Sequence, residues 1–320
     1  MFQTKITEML KIKYPIIGGT MMWISSADFV AAISNAGGLG CIASCMYKTR
    51  EEFSKALDRI CELTDKPFAV NINFFPTMQP IDNNEYLDVL LEKGVKIVET
   101  SGHSAPEEMC RRFKNSGLTW IHKCVGVRYA QKAESLGADI VTVVGQENGG
   151  ATGKLDIGTM VLVPKVVESL KIPVIGGGGV ATGEGFLAVL ALGAQAVIMG
   201  TRLLTTKEAP LHDNLKNALI NASELDTMLI MRSLGATHRV WINKAAQRCL
   251  ELENSNGDIV EVLDIVSGAR AKIMYHDGDL GAGIISCGQD VGLCHDIPTV
   301  KELFDRIIDK ASAIAKKLAA

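Results

Sequence analysis

The sequence predicts an α/β fold: a TIM-type (β/α)₈ barrel with a helical lobe inserted after the eighth strand and a closing C-terminal helix. Short β-branched runs, eight in all, alternate with helical patterns; parallel strands need such crossovers, and eight of them close without an edge. The segments Ala36-Gly37-Gly38-Leu39-Gly40, Gly137-Ala138-Asp139 and Gly193-Ala194-Gln195 each end a helical pattern and lead into a strand, as helix C-caps with short connections do. The stretch Ile172 to Thr201 carries a single charge, Glu184, but its glycines divide it into strand, loop, helix and strand. A buried α/β core makes all of these apolar. A doubly wound open sheet is the alternative architecture.

The strands read, in order, Pro15–Gly18, Leu39–Ala43, Phe68–Ile72, Val95–Glu99, Thr119–Lys123, Ile140–Val144, Pro173–Gly176 and Ala196–Gly200. Between them the helices read Ser26–Asn35, with Asp28 near its start, then Thr49–Leu63, Asn84–Lys93, Pro106–Asn115, Val127–Leu136, Leu162–Leu170 and Gly183–Leu192. After the eighth strand, Ala209–Ala222 and Ser223 to Leu252 read as helices with no strand between them, and Gly257–Gly283 holds one short β pair. An amphipathic helix from Thr299 to Leu318 follows Pro298,. This divides the chain into a barrel, residues 1–206 and 284–320, and a substrate-covering lobe, residues 207–283.

Composition narrows the partners. The 320 residues are 47% hydrophobic and 22% charged, and the net charge is −3 with no block of like charges, so no nucleic-acid partner is expected. Met1 to Lys13 carries Lys5, Glu8, Lys11 and Lys13 and lacks the apolar core of a secretory signal, so a cytoplasmic enzyme with no membrane partner is expected. The eight cysteines form no C-x-x-C pair; reduced thiols and no metal are expected. A small molecule is the expected partner, with a homodimer as the assembly.

Barrel active sites lie at the C-terminal strand ends, with phosphate bound after strands seven and eight. Gly176, Gly177, Gly178 and Gly179 follow strand seven, and Gly200 and Thr201 follow strand eight, so backbone N–H groups can approach an anion there. A lone glycine cluster would be read as a tight turn; two at the two expected positions read as a phosphate cradle. Gly176, Gly178 and Ala181 also satisfy G-x-G-x-x-G/A, but no acid follows in positions 195 to 203, which excludes a Rossmann dinucleotide site.

The segments Tyr14-Pro15-Ile16-Ile17-Gly18-Gly19-Thr20-Met21, Ser34 to Gly40, His122-Lys123-Cys124, Gly176 to Ala181 and Met199-Gly200-Thr201-Arg202 together resemble the nitronate monooxygenase (2-nitropropane dioxygenase) family. The likeness continues through Thr206 to Pro210, Ala222 to Thr227, Gly288-Gln289 and Asp296-Ile297-Pro298. That scaffold also includes FMN-dependent enoyl-acyl-carrier-protein reductases and NAD(P)H:quinone reductases. The resemblance implies that the glycines and Thr201 hold the FMN phosphate. It also implies that Met21 and Asn71 lie beside the isoalloxazine ring and that Lys123 faces its polar edge, where a cation would offset the charge of reduced flavin. Otherwise Lys123 is a surface residue at a strand end and Asn71 a turn cap.

Two departures stand out. Gly18 replaces the usual glutamine of the first strand. In Glu147-Asn148-Gly149-Gly150-Ala151-Thr152-Gly153, Ala151 stands where family members typically carry a histidine acid/base. Alanine cannot move a proton, whereas the loop glycines, Gly149 and Gly150 among them, are retained, and the resemblance implies that these two and Glu147 lie against the flavin. Candidate catalytic groups are therefore His103, after the fourth strand, Lys123 and Glu147, with His238 as a further one; His122 should point to the opposite side of its strand from Lys123,. Phe74, Phe75, Met78 and Trp23 are candidates for an apolar pocket near the flavin, or for ordinary packing,.

The expected activity is FMN-dependent oxidoreduction. The missing histidine tilts it toward reduction of an activated C=C or a quinone by NADH or NADPH, with oxidation of alkyl nitronates by O2 as the alternative. A non-catalytic flavin-binding protein and a sugar-phosphate isomerase or aldolase are the readings from other classes.

Overall fold

The computed structural model describes residues 2–74, 82–102, 106–255 and 257–320. Its barrel strands are β1 (Ile16–Gly18), β2 (Gly40–Ala43), β3 (Phe68–Asn73), β4 (Ile97–Ser101), β5 (Thr119–Cys124), β6 (Ile140–Val144), β8 (Val174–Gly177) and β9 (Ala196–Met199), with a two-residue β7 (Gly150–Ala151) outside the barrel. All barrel pairings are parallel, in the order β1-β9-β8-β6-β5-β4-β3-β2. The two ends of that order meet where Gly18 N donates to Leu39 O at 2.9 Å and Leu39 N to Ile16 O at 2.9 Å. The sheet is thereby a barrel, not an open doubly wound sheet.

Local chemistry places the surrounding helices. Ser26, Thr49 and Thr182 each accept a backbone N–H at the start of helices Ala27–Asn35, Arg50–Leu63 and Gly183–Ala191, satisfying a donor the helix itself leaves open. The remaining barrel helices are Asn83–Glu92, Glu107–Asn115, Val127–Ser135 and Thr159–Ser169. The fourth strand starts at Ile97, two residues later than Val95. Gly94 at φ 71° and the bond from Val95 N to Leu90 O at 3.0 Å use those residues to end the preceding helix,.

Each strand sends alternate residues inward and outward. The outward residues, Val70, Val98, Trp120 and Val141 among them, join the helices in the main core. The inward residues Ile17, Cys41, Ala69, Ile97, Ile121, Ile140, Val144, Ile175, Ala196 and Ile198 form a separate cluster, and Ile6, Leu10 and Ile12 complete it. The last three come from helix Lys5–Leu10 and its sequel, and Lys5 N bonds Gln195 Oε1 just before β9. This helix plugs the N-terminal floor of the barrel.

The segment after β9 differs from the expected run of helices. It opens with the single turn Thr201–Leu204, continues in helix Asp213–Ile220 and then forms an antiparallel pair, β10 (Thr227–Ile230) with β11 (His238–Trp241). Met231 at φ 56° and Gly235 at φ 71° turn the chain between the two strands, and Ile230 and Val240 bury in a small cluster with Ala246, Cys249 and Leu252 of helix Lys244–Asn254. Strand β11 also pairs with β7, so a barrel loop is part of this sheet. The β pair expected within Gly257–Gly283 is absent: helices Ile259–Ile265 and Gly268–Asp277 stand there, capped by Asp258 and Ser267. Helix Val300–Leu318 closes the chain, with Thr299 and Glu302 forming a capping box,. Among the described residues no helix is long and apolar enough to cross a membrane. All eight cysteines are free thiols.

Leu10 is 1% exposed in the barrel floor. Leu10→Ala is expected to cost about 2–5 kcal/mol of stability, measured as a lower urea midpoint.

Candidate active site

At the C-terminal mouth the inward positions become polar. Asn71 of β3 and Glu99 of β4 are register partners, as are Ser101 of β4 with Lys123 of β5 and Lys123 with Thr142 of β6. Glu99 is 3% exposed and organises the group. Its Oε2 accepts from Thr20 Oγ1 at 2.6 Å, from Asn71 Nδ2 at 2.9 Å and from Cys41 Sγ at 3.5 Å, while Lys123 Nζ stands 3.9 Å from Oε1. Burial and then the Glu99 carboxylate push the Cys41 thiol well up, so it stays protonated. His122 points the other way, its Nδ1 2.7 Å from Thr100 Oγ1, and burial pushes it down to about 4.

The four glycines after the seventh strand divide in two. Gly176 and Gly177 lie within β8, where Cβ atoms would stand 2.6 Å from Val189 Cγ1 and 2.3 Å from Ile198 Cγ2; their lack of side chains serves packing. Gly178 at φ 93° and Gly179 at φ 78° make the loop in a conformation L side chains rarely adopt,. At Gly200 a Cβ would meet nothing within 4 Å except Met21 Sδ at 3.9 Å, so open space faces its backbone and Met21 borders it. Thr201 Oγ1 accepts from Gly288 N at 2.9 Å. Burial pushes the Asp290 carboxyl, which bonds Thr201, up to about 6. A cavity of about 330 Å³ opens beside Gly179, lined also by Glu147, Glu224, Gln289 and Asp290.

Glu147 turns away from proton transfer toward architecture. Both carboxylate oxygens accept from Thr159 N at 3.0 Å, and Oε2 also accepts from Thr159 Oγ1 at 3.0 Å. Thr159 opens a helix whose N-cap, Gly158, has no side chain to offer, so Glu147 supplies the cap; the Thr159 hydroxyl, with one proton to donate, stands between that carboxylate and Gly178 O, 2.8 Å from the latter. Gly149 packs against the backbone of Cys287 and Gly288, and Gly150 takes φ 85°. Ala151 is exposed and lies directly opposite His238 in the β7–β11 ladder. His238 Nε2 stands 2.8 Å from Ser286 Oγ, and burial pushes its imidazole down to about 4.

Trp23, at φ 65°, sits against Gly268 and under Lys272 Nζ, 3.7 Å from its ring centroid. It joins the first barrel loop to the lobe. Phe74 N donates to Ser101 O at 2.8 Å beside β4. His103, Phe75 and Met78 lie outside the described residues. Glu99, Thr20, Cys41 and Thr142 were not among the residues singled out from sequence. A lone acid ending an apolar strand run was the available signal for Glu99.

Residues 3–310 match the family model described as nitronate monooxygenase. The chain belongs to that family. Membership in the nitronate monooxygenase family makes it an enzyme, an FMN-dependent oxidoreductase. Among solved structures it is similar to FabK from Thermotoga maritima, 33% identical with a TM-score of 0.92 over 100% of this chain and 99% of that one. It is also similar to nitroalkane oxidase from Streptomyces ansochromogenes, 25% identical with a TM-score of 0.84 over 98% and 99%. A curated relative from Rhodococcus jostii, (3aS,4S,5R,7aS)-5-hydroxy-7a-methyl-1-oxo-octahydro-1H-indene-4-carboxyl-CoA dehydrogenase, is 30% identical over 97% of this chain and 96% of its own.

The residues present fit FMN. The space facing Gly200 suits a phosphate approached by backbone, Lys123 offers a cation, and the Thr142 hydroxyl, 1% exposed, has no partner among the described residues. A buried orphan hydroxyl is costly unless a bound group or water completes it.

Because a Cβ at Gly200 meets open space, Gly200→Val should keep the fold but lose FMN, read as flavin absorbance per chain after gel filtration alongside a melting temperature equal to that of flavin-stripped wild type. Full flavin content would place the phosphate elsewhere. For His238 the folded-state value of about 4 lies below the ordinary 6.5. Its contribution is complete above pH 6.5 and is lost as pH falls from 6.5 toward 4, because the unfolded chain takes the proton first,. His238→Gln should therefore lose less stability than wild type between about pH 7 and about pH 5, measured by urea midpoints; parallel losses would refute it.

Proposed function

We propose that the enzyme uses NADH or NADPH to reduce an activated C=C, of the α,β-unsaturated carbonyl kind, or a quinone. The observation that carries this is Ala151, an exposed methyl group on a retained glycine loop where the resemblance calls for a proton-transferring histidine. Nitroalkane oxidation starts by removing an α-proton, and no base stands at that position. A reduction needs no such base, since its proton can come from solvent. The extent of the likeness to FabK supports the same reading.

FMN, when bound, supplies hydride transfer. The protein's part is to hold and bias it. Gly178, Gly179, Gly200 and Thr201 would bind its phosphate, Met21 would border its ring, and Asn71 and Lys123 would meet its polar edge from β3 and β5. The plugged floor keeps bulk water from the site from below. Glu147 holds the loop in place through Thr159.

Oxidation of alkyl nitronates is the second reading, favoured by the family match and by the likeness to nitroalkane oxidase. A nitronate arrives already deprotonated and needs no base at position 151.

Anaerobic mixing of the FMN-loaded enzyme with NADH or NADPH, followed by enones, quinones or nitronates, tests both. Bleaching by a nicotinamide and recovery with an enone or quinone is expected. Nicotinamide-independent turnover of nitronate with O2 would favour the second reading. Ala151→His should raise oxidation of neutral nitroalkanes by part of the roughly 10²–10⁴-fold that acid/base catalysis contributes. Efficient, base-dependent oxidation of neutral nitroalkanes by wild type would overturn the reading of Ala151.

A further inference from the structure

We propose that Glu99 is the resting counter-ion of Lys123 and, by holding that ammonium, sets how strongly the site favours reduced flavin. It is a positioning residue, and the inference rests on the FMN reading above.

The two oxygens of the Glu99 carboxylate are treated differently. Oε2 takes the Thr20 hydroxyl at 2.6 Å, the Asn71 amide at 2.9 Å and the Cys41 thiol at 3.5 Å, all neutral donors. Among the described residues Oε1 faces the Lys123 ammonium alone, at 3.9 Å, beyond hydrogen-bond distance. A buried carboxylate is tolerated when it is paired and hydrogen-bonded, so three donors fix the anion while its cation is held loosely. The side-chain exposures agree: 4% for Glu99 against 25% for Lys123. The anion is locked in the barrel wall and the cation sits at the mouth with room to move.

Among the described residues the other titratable groups near the pair add little charge. Burial and Glu99 itself keep the Cys41 thiol protonated, and His122, pushed down to about 4 by burial, is neutral and faces outward to Thr100. Thr142, the register partner of Lys123, offers a neutral hydroxyl. Among the described residues the charge presented to a flavin from this wall is therefore the balance of Lys123 against Glu99.

Reduction of flavin by two electrons and one proton leaves a net added negative charge. Lys123 favours that state, and Glu99 offsets it by drawing the ammonium back into the wall. A flavin so poised is the more willing to pass its hydride on, as a reductase requires.

The test is the two-electron reduction potential of FMN-loaded wild type, Glu99→Gln, Lys123→Met and the double variant, each equilibrated with a reference dye during slow enzymatic reduction. Glu99→Gln should raise the potential, by an order of tenfold in the reduced-to-oxidised ratio, about 30 mV for a two-electron couple. Lys123→Met should lower it. In the Lys123→Met background the Glu99→Gln shift should shrink markedly, the non-additivity of a coupled pair. Should Glu99→Gln fail to fold, Glu99→Thr, a β-branched residue suited to a strand, carries the same comparison. An unmoved potential overturns the inference, and so does a shift of equal size with and without Lys123, which would mean that Glu99 acts on the flavin directly. Wild-type protein that takes up no FMN overturns the cofactor reading and the inference with it, an outcome seen in the absorption spectrum before any potential is measured.

Discussion

In a closed parallel barrel every second side chain of a strand must point inward, and the interior has no room to hide a mistake. A one-residue slip in any strand would exchange its inner and outer sets. Here the pattern on adjacent strands is the same: an apolar residue inside at the lower level, and a polar one two residues later at the mouth. Ala69 precedes Asn71, Ile97 precedes Glu99, and Ile121 precedes Lys123. The lower level seals the core and the upper one is the chemistry. The same pleat that buries the isoleucines delivers an amide, a carboxylate and an ammonium to one ring.

The second organising contact is the β7–β11 ladder. Because Gly150 and Ala151 pair with Arg239 and His238, the loop after β6 is shared between barrel and lobe. Arg239 reinforces the joint, its Nε donating to Gln146 O at 3.1 Å. The loop is further held by Glu147 capping the helix that begins at Thr159. Trp23 makes a separate bridge to the helix Gly268–Asp277. The lobe and the mouth of the barrel are therefore built from each other's backbone.

Much of the barrel was legible in the sequence because its signals are local. Ser26, Thr49 and Thr182 mark helix starts by their own hydrogen bonds, and glycines mark the C-caps. The lobe was misread because Thr227–Ile230 and His238–Trp241 are four-residue strands whose partner includes a loop almost 90 positions away (Ala151 to His238), and no local period reports a partner that distant. Candidate site residues divided in the same way. Lys123 and Asn71 declared themselves by lying at strand ends within recognisable motifs. Glu99 did not, because its role comes from what surrounds it: Thr20, Cys41 and Asn71 arrive from three other strands or loops. Glu147 was recognisable as a loop carboxylate, yet its engagement with Thr159 depends on where the next helix begins.

The helix that plugs the floor fills one end of the barrel. With that end filled, the ring of Asn71, Glu99 and Lys123 faces the opposite end of the barrel. The direction from which the ring can be approached is thereby set in part by Ile6, Leu10 and Ile12, residues at the far end of the barrel.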